Sequence, residues 1–192
     1  MNSNKKNIIV IIPTETESRF LGDRSIRVYH CGVGPAECGS FTAKMIVDHK
    51  PDLMILAGTA GTYSDDIVVG ETVVVVSETT AALGRLSEGA NGGEFTPLFQ
   101  KTYTAPVVPK GYRTVRSNTV NTSGGVIVHP VKAEIENMEG AAFLAVCDRL
   151  GVPAMEVRTV SNRVGELIVG KNMEIATHRL ILDLEKIIAT LE

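Results

Sequence analysis

Short β-branched runs alternate along the chain with stretches whose apolar residues recur at helical spacing. Residues 7–12 form a continuous apolar run ending at Pro13, which predicts a buried strand. Residues 26–31 predict a second strand, closed by Gly32-Val33-Gly34-Pro35. Residues 36–49 then place Phe41, Met45 and Ile46 on one helix face, with Pro51 as the stop. Residues 53–57 read as another buried strand, and Gly58-Thr59-Ala60-Gly61 as the turn that leaves it. Four consecutive valines within 71–77 suit a strand covered on both faces. Residues 85–109 hold Gly89, Gly92, Gly93, Pro97, Pro106 and Pro109 with little periodicity, so they read as a long loop or lid. Beyond it come strands at 112–121, 126–128 and 154–160 and a helix at 140–150. A closing amphipathic helix spans 172–191, with Ile175, Leu180, Leu184, Ile187, Ile188 and Leu191 inward.

This alternation predicts an α/β sandwich with a mostly parallel central sheet in a single domain, 1–192. In such sheets ligands lie beyond the carboxyl ends of the strands. Four segments are expected there: residues 14–17, 58–61, 137–139 and 161–162.

Composition narrows the class. Of the 192 residues, 44% are hydrophobic and 21% charged, as in a compact domain. A net charge of -3 leaves no basic footprint for nucleic acid. No apolar run approaches the ~20 residues that cross a bilayer. The run after Lys5-Lys6 is too short for a signal peptide, and Thr14-Glu15-Thr16-Glu17 stands where a cleavage site would be. Cys31, Cys38 and Cys147 show no CxxC spacing and suggest reduced, buried thiols in the cytoplasm. His30, His49, His129 and His178 are scattered, so neither metal nor cofactor is expected.

Each candidate segment admits two readings. Glu139 is either an acid in the first turn of a helix with Asn137 as N-cap, or a carboxylate that grips sugar hydroxyls. Glu17 is either part of a solvated helix start or a general base that activates water, with Glu15 as its competitor. The Gly58–Gly61 segment is either a tight strand exit or a place of close backbone approach to a ligand, with a hydroxyl at Thr59. It lacks the Lys of a phosphate-binding loop. Ser161-Asn162 is either an Asx-type turn or an amide that reads a base edge.

Taken in order, these segments resemble the nucleoside phosphorylase and nucleosidase superfamily. The matching blocks are Thr14-Glu15-Thr16-Glu17, Cys31-Gly32-Val33-Gly34, Ala57-Gly58-Thr59-Ala60-Gly61, Val69-Gly70-Glu71-Thr72-Val73-Val74, Glu136-Asn137-Met138-Glu139-Gly140-Ala141-Ala142 and Val157-Arg158-Thr159-Val160-Ser161-Asn162. The resemblance implies a three-layer α/β/α sandwich with a mixed, mostly parallel sheet. It also implies a purine nucleoside and water as small-molecule partners, and a homodimer or higher homo-oligomer. On this resemblance Glu17 deprotonates the water, and Thr59, with Ala60 and Gly61, lies near the sugar. Met138 packs beneath the ribose and Glu139 holds its 2′- and 3′-hydroxyls, flanked by Asn137. Asn162, beside Ser161, faces the purine.

Adenine-cleaving nucleosidases are similar to one another in carrying Asp where this chain has Asn162. An amide can offer its NH₂ to O6 and N7 of a 6-oxopurine, or pair with adenine through both its groups, but it removes the acid that would protonate a departing adenine. Together with Glu136-Asn137-Met138-Glu139-Gly140, it looks most like futalosine hydrolase, which implies release of hypoxanthine and dehypoxanthine futalosine in menaquinone biosynthesis. The alternatives are a methylthioadenosine/S-adenosylhomocysteine nucleosidase releasing adenine, or a non-catalytic nucleoside-binding domain. Leu56 stands where family phosphorylases of the hexameric type carry an Arg for phosphate, which favours hydrolysis. A benzoate-bearing 5′ extension on the substrate would call for a cation, with Arg85, Lys101 and Arg116 as candidates.

Overall fold

The computed structural model describes residues 6–22, 26–87, 94–122 and 132–191. Its elements run β1 (Ile8–Ile12), α1 (Glu15–Ser18), β2 (Val28–His30), α2 (Pro35–His49), β3 (Leu53–Thr62), β4 (Thr72–Thr80) and β5 (Gly84–Ser87). They continue with β6 (Glu94–Pro97), β7 (Thr102–Thr104), β8 (Arg113–Thr119), β9 (Ile135–Asn137), α3 (Gly140–Leu150), β10 (Ala154–Arg163) and α4 (Gly170–Ala189).

The main sheet is mixed and mostly parallel. Parallel ladders join β1 to β2 and β3, β3 to β10, and β8 to both β4 and β9. Antiparallel ladders join β10 to β4, β3 to β9, and β4 to β7. The long strand β3 changes neighbours along its length: its first half pairs with β1 and its last two residues with β9, while β10 follows it throughout. That exchange closes β3, β10, β4, β8 and β9 into a ring of strands around Ala60, Val73, Val75, Val115, Ile135 and Val160.

Helices cover both outer faces, giving the three-layer α/β/α arrangement. On one face α2 and α3 bury Cys38, Met45, Phe143 and Leu144 against β1 and β3. On the other, α4 lays Leu180, Ile181, Leu184 and Ile187 against Ile55, Met155 and Val157. Pro35 opens α2 at a position whose N–H would have no intrahelical partner, and Gly151 closes α3 in the left-handed region at φ 70°. Cys31, Cys38 and Cys147 are buried free thiols, and burial pushes Cys147 up to about 12, so they behave as core residues. No described helix is long and apolar enough to cross a membrane.

Four expectations change. The Gly58–Gly61 segment is not a turn: β3 runs on through Thr62 because β10 and β9 pair with its far end. Ser161-Asn162 likewise lies inside β10, at a bulge between Val160 and Asn162, and not in a turn after the strand. The 85–109 stretch, read as a loop, contains most of the paired strands β5 and β6, and β7, which at three or four residues each are too short for alternation to show. Ile175 is exposed, because the buried stripe of α4 runs through Ala176, Leu180, Leu184 and Ile187. The strand expected at 126–128 lies outside the described residues.

Candidate active site

The four segments expected at the strand ends meet around one cavity of about 330 Å³. Glu17, Thr59, Ala60, Gly61, Asn137, Met138, Glu139, Ser161 and Asn162 all line it. Glu15 is absent from its lining.

Glu17 comes from the single-turn α1, capped by the Thr14 hydroxyl, which accepts from Glu17 N. Its carboxylate is buried and accepts three hydrogen bonds: Thr59 N (2.7 Å) and Thr59 Oγ1 (3.0 Å) to Oε1, and Thr14 Oγ1 (2.9 Å) to Oε2. A carboxylate offers about four lone-pair sites, so one on Oε2 stays available to a water in the cavity. Gly58 makes this approach possible. A Cβ there would come within 3.1 Å of Glu17 Oε1 and 2.6 Å of Arg158 Nη1.

Glu139 is itself the N-cap residue of α3, so neither first-turn placement nor capping by its own side chain accounts for it. Asn137 does that work instead, since its Oδ1 accepts from the N–H groups of Glu139 and Gly140, both at 2.8 Å. The Glu139 carboxylate accepts from Gly34 N (3.1 Å) and Arg158 Nη1 (3.2 Å). Gly34 presents that N–H at φ 93°, a conformation that disfavours any side chain. Asn137 lines the cavity wall, but its Nδ2 is directed to Glu78, to Ser117 Oγ (2.9 Å) and to Glu156 Oε1 (3.3 Å). It supports the site from behind.

Behind that wall lies a group to which sequence reasoning assigned no role. Arg158 is fully buried in β10. Its Nε donates to Glu156 Oε1 (2.8 Å), its Nη1 to Glu139, and its Nη2 to Asn137 Oδ1 (2.8 Å). Burial alone would lower this guanidinium, yet Glu156 and Glu139 hold it above its ordinary range. Glu78, also fully buried, accepts from Thr119 Oγ1 (2.7 Å), whose own oxygen accepts from Ala141 N (2.7 Å). The legible signal was an arginine amid an apolar strand, which requires acidic partners.

Burial, reinforced by the charge of Glu156, pushes Glu78 well above its ordinary value of 4.5. The folded protein therefore keeps a proton there that the unfolded chain releases. Stability should fall as pH rises from 4.5 towards the folded-state value, by about 1.4 kcal/mol per pH unit for each proton retained. Glu78→Gln is uncharged throughout, so urea titrations across that window should show a flatter pH dependence than in the wild type. An unchanged slope would show that Glu78 is ionised in the fold.

Arg85, Lys101 and Arg116 do not reach the cavity. Arg116 pairs with Glu134 (Nη2–Oε1, 2.6 Å), and Lys101 sits 4.6 Å over the Tyr103 ring. Among the described residues no group of three or more His, Cys, Asp or Glu side chains is placed to hold a metal ion.

The chain belongs to the Phosphorylase superfamily, whose family profile matches residues 14–189. It is 32% identical over 158 residues to futalosine hydrolase of Streptomyces coelicolor, covering 70% of this chain and 66% of that protein. It is 26% identical over 164 residues to the 5′-methylthioadenosine/S-adenosylhomocysteine nucleosidase of Shewanella halifaxensis, covering 74% of this chain and 70% of that one. The fold matches a Helicobacter pylori enzyme of the latter name, bound to butyl-thio-DADMe-Immucillin-A, with a TM-score of 0.79 and 15% identity over 98% of this chain and all of the other (100%). A futalosine hydrolase mutant of Helicobacter pylori gives a TM-score of 0.78 at 15% identity, over 97% of this chain and 100% of that one. At such identities the structural matches establish the shared fold.

Proposed function

We propose that the protein uses water to cleave the N-glycosidic bond of a purine nucleoside, with a 6-oxopurine as the base and futalosine as the substrate. The observation that carries this reading is the pairing, in one cavity, of a buried carboxylate with an open acceptor site, Glu17, and a second buried carboxylate, Glu139, beside Met138. Glu139 accepts the ribose hydroxyls as charge-assisted hydrogen bonds, with Met138 against the sugar face.

The reaction follows a dissociative course. Breaking the C1′–N9 bond leaves positive charge on the ribose and negative charge on the base. Glu17 and Glu139 stabilise the first, and donors along the wall, Asn162 Nδ2 among them, stabilise the second. Water held by Glu17 then adds to C1′ and gives its proton to that carboxylate.

Water is favoured over phosphate as the nucleophile. No described Lys or Arg lines the cavity, and the nearby Arg158 is engaged by Glu139, Glu156 and Asn137. Relatives named as 5′-methylthioadenosine/S-adenosylhomocysteine nucleosidases support a second reading, in which adenine is released. Incubation with futalosine, inosine, methylthioadenosine and S-adenosylhomocysteine, with and without phosphate, separates the readings. Hypoxanthine from futalosine, at a rate indifferent to phosphate, is the expected result. Adenine as the main product would establish the second reading, and phosphate-dependent release would replace hydrolysis with phosphorolysis.

A further inference from the structure

We infer that Glu136 is the second reader of the base, accepting a hydrogen bond from N1–H of a 6-oxopurine while Asn162 donates to the neighbouring O6. The inference rests on the reading of the cavity as a nucleoside site and adds to it the group that sets base selectivity.

Three adjacent strands carry the geometry. Gly61 on β3 is directly paired with Asn162 on β10 and with Glu136 on β9. The missing side chain at Gly61 leaves a gap between them. A Cβ there would lie 3.3 Å from Asn162 Nδ2 and 3.6 Å from Glu136 Cγ. All three residues line the cavity, and Glu136 is nine-tenths buried or more, at 4% exposure. Val164 Cγ2, at 3.1 Å from that Cβ position, closes the gap from the apolar side, so a side chain at Gly61 would crowd the stretch of cavity wall where Asn162 and Glu136 stand on either side.

The polarity of that edge is fixed by the protein. Ser161 Oγ donates to Asn162 Oδ1 (2.9 Å), and Asn162 Nδ2 donates to the Arg163 carbonyl (3.0 Å). The bond to the Arg163 carbonyl, which can only accept, requires the amide orientation that leaves Nδ2 as the donor facing the gap. On the other side Tyr63 Oη donates to Glu136 Oε2 at 2.5 Å. Burial and the Glu136 charge push the Tyr63 hydroxyl above its ordinary range, so it remains a donor and Glu136 an acceptor. The wall thus presents a donor beside an acceptor. A 6-oxopurine offers the complement, O6 acceptor beside N1–H donor. A 6-aminopurine offers the reverse, an N6 donor beside an N1 lone pair that faces a carboxylate.

The test reads binding of free bases, which does not depend on turnover. By calorimetry the wild type should bind hypoxanthine at least about tenfold more tightly than adenine or 1-methylhypoxanthine, because a site built to hydrogen-bond a donor rejects analogues that lack it. Glu136→Gln keeps the shape and the Tyr63 partner but can offer an NH₂ to N1, so the hypoxanthine-to-adenine ratio should fall by about tenfold or more. Should that variant fail to fold, the wild-type comparison with 1-methylhypoxanthine still decides. Equal affinity for the three bases, or no binding of hypoxanthine, overturns the assignment. Base binding with this selectivity but no nucleoside cleavage would leave Glu136 in place and remove the nucleosidase reading.

Discussion

Glu17→Gln should lower the rate of base release by about 10²–10⁴-fold, the range expected when a positioned general base is removed. The affinity for nucleoside should stay within severalfold of the wild type. The substitution is nearly isosteric, and the amide oxygen can still accept from Thr59 N and Thr59 Oγ1, as Oε1 does now. The Thr14 hydroxyl, now donating to Oε2, can rotate to accept from the new NH₂. Only the site left for water is lost, because an amide nitrogen cannot take its proton. Single-turnover release of base and calorimetric titration with a nucleoside separate the two effects. Turnover close to that of the wild type would remove Glu17 from the mechanism. A loss of affinity in proportion to rate would make it a binding group instead.

The contrast between Glu17 and Glu15 shows how far the sequence reaches. Both acids follow the first strand by a few residues, and periodicity does not rank them. In the fold, Thr14 caps the short helix and Thr59 arrives from β3, forty-two positions away, so Glu17 is the one held inward. Hydrophobic patterning was enough for the large elements. The limits of α3 follow from its apolar stripe and Gly151, and β4 from its valines.

Patterning failed where partners come from distant parts of the chain. Gly58–Gly61 reads as a turn in isolation because its glycines are turn formers. It is a strand because β10 supplies a ladder along its whole length and β9 pairs with its far end at Gly61. Asn162 and Ser161 are legible as a pair, but the amide's orientation depends on Arg163 O, which receives Nδ2. Glu136 was quoted within a motif without a role, since its meaning depends on Tyr63 and Gly61, more than seventy positions earlier.

Arg158 provides the strongest test of the buried charges behind the cavity wall. Arg158→Met keeps much of the side-chain volume but withdraws the only described cation touching both Glu139 and Glu156. The charges it leaves are deep: Glu156 is fully buried and Glu139 is 4% exposed. Removing one partner of a buried ion pair costs about 3–5 kcal/mol, because the other charge remains without compensation or has to take up a proton. For a domain of this size that corresponds to a drop in Tm of roughly 10 °C. Arg158→Lys should recover little, since an ammonium cannot reproduce the fork that reaches Glu156, Glu139 and Asn137 together. Adding Glu156→Gln to Arg158→Met should restore part of the stability by removing one stranded charge, but not substrate affinity, because Glu139 would still lack its anchor. A loss in Arg158→Met of less than about 1 kcal/mol, the value typical of exposed pairs, would mean that the carboxylates are already neutral in the fold, and Glu139 could then no longer be regarded as a charged grip on the ribose.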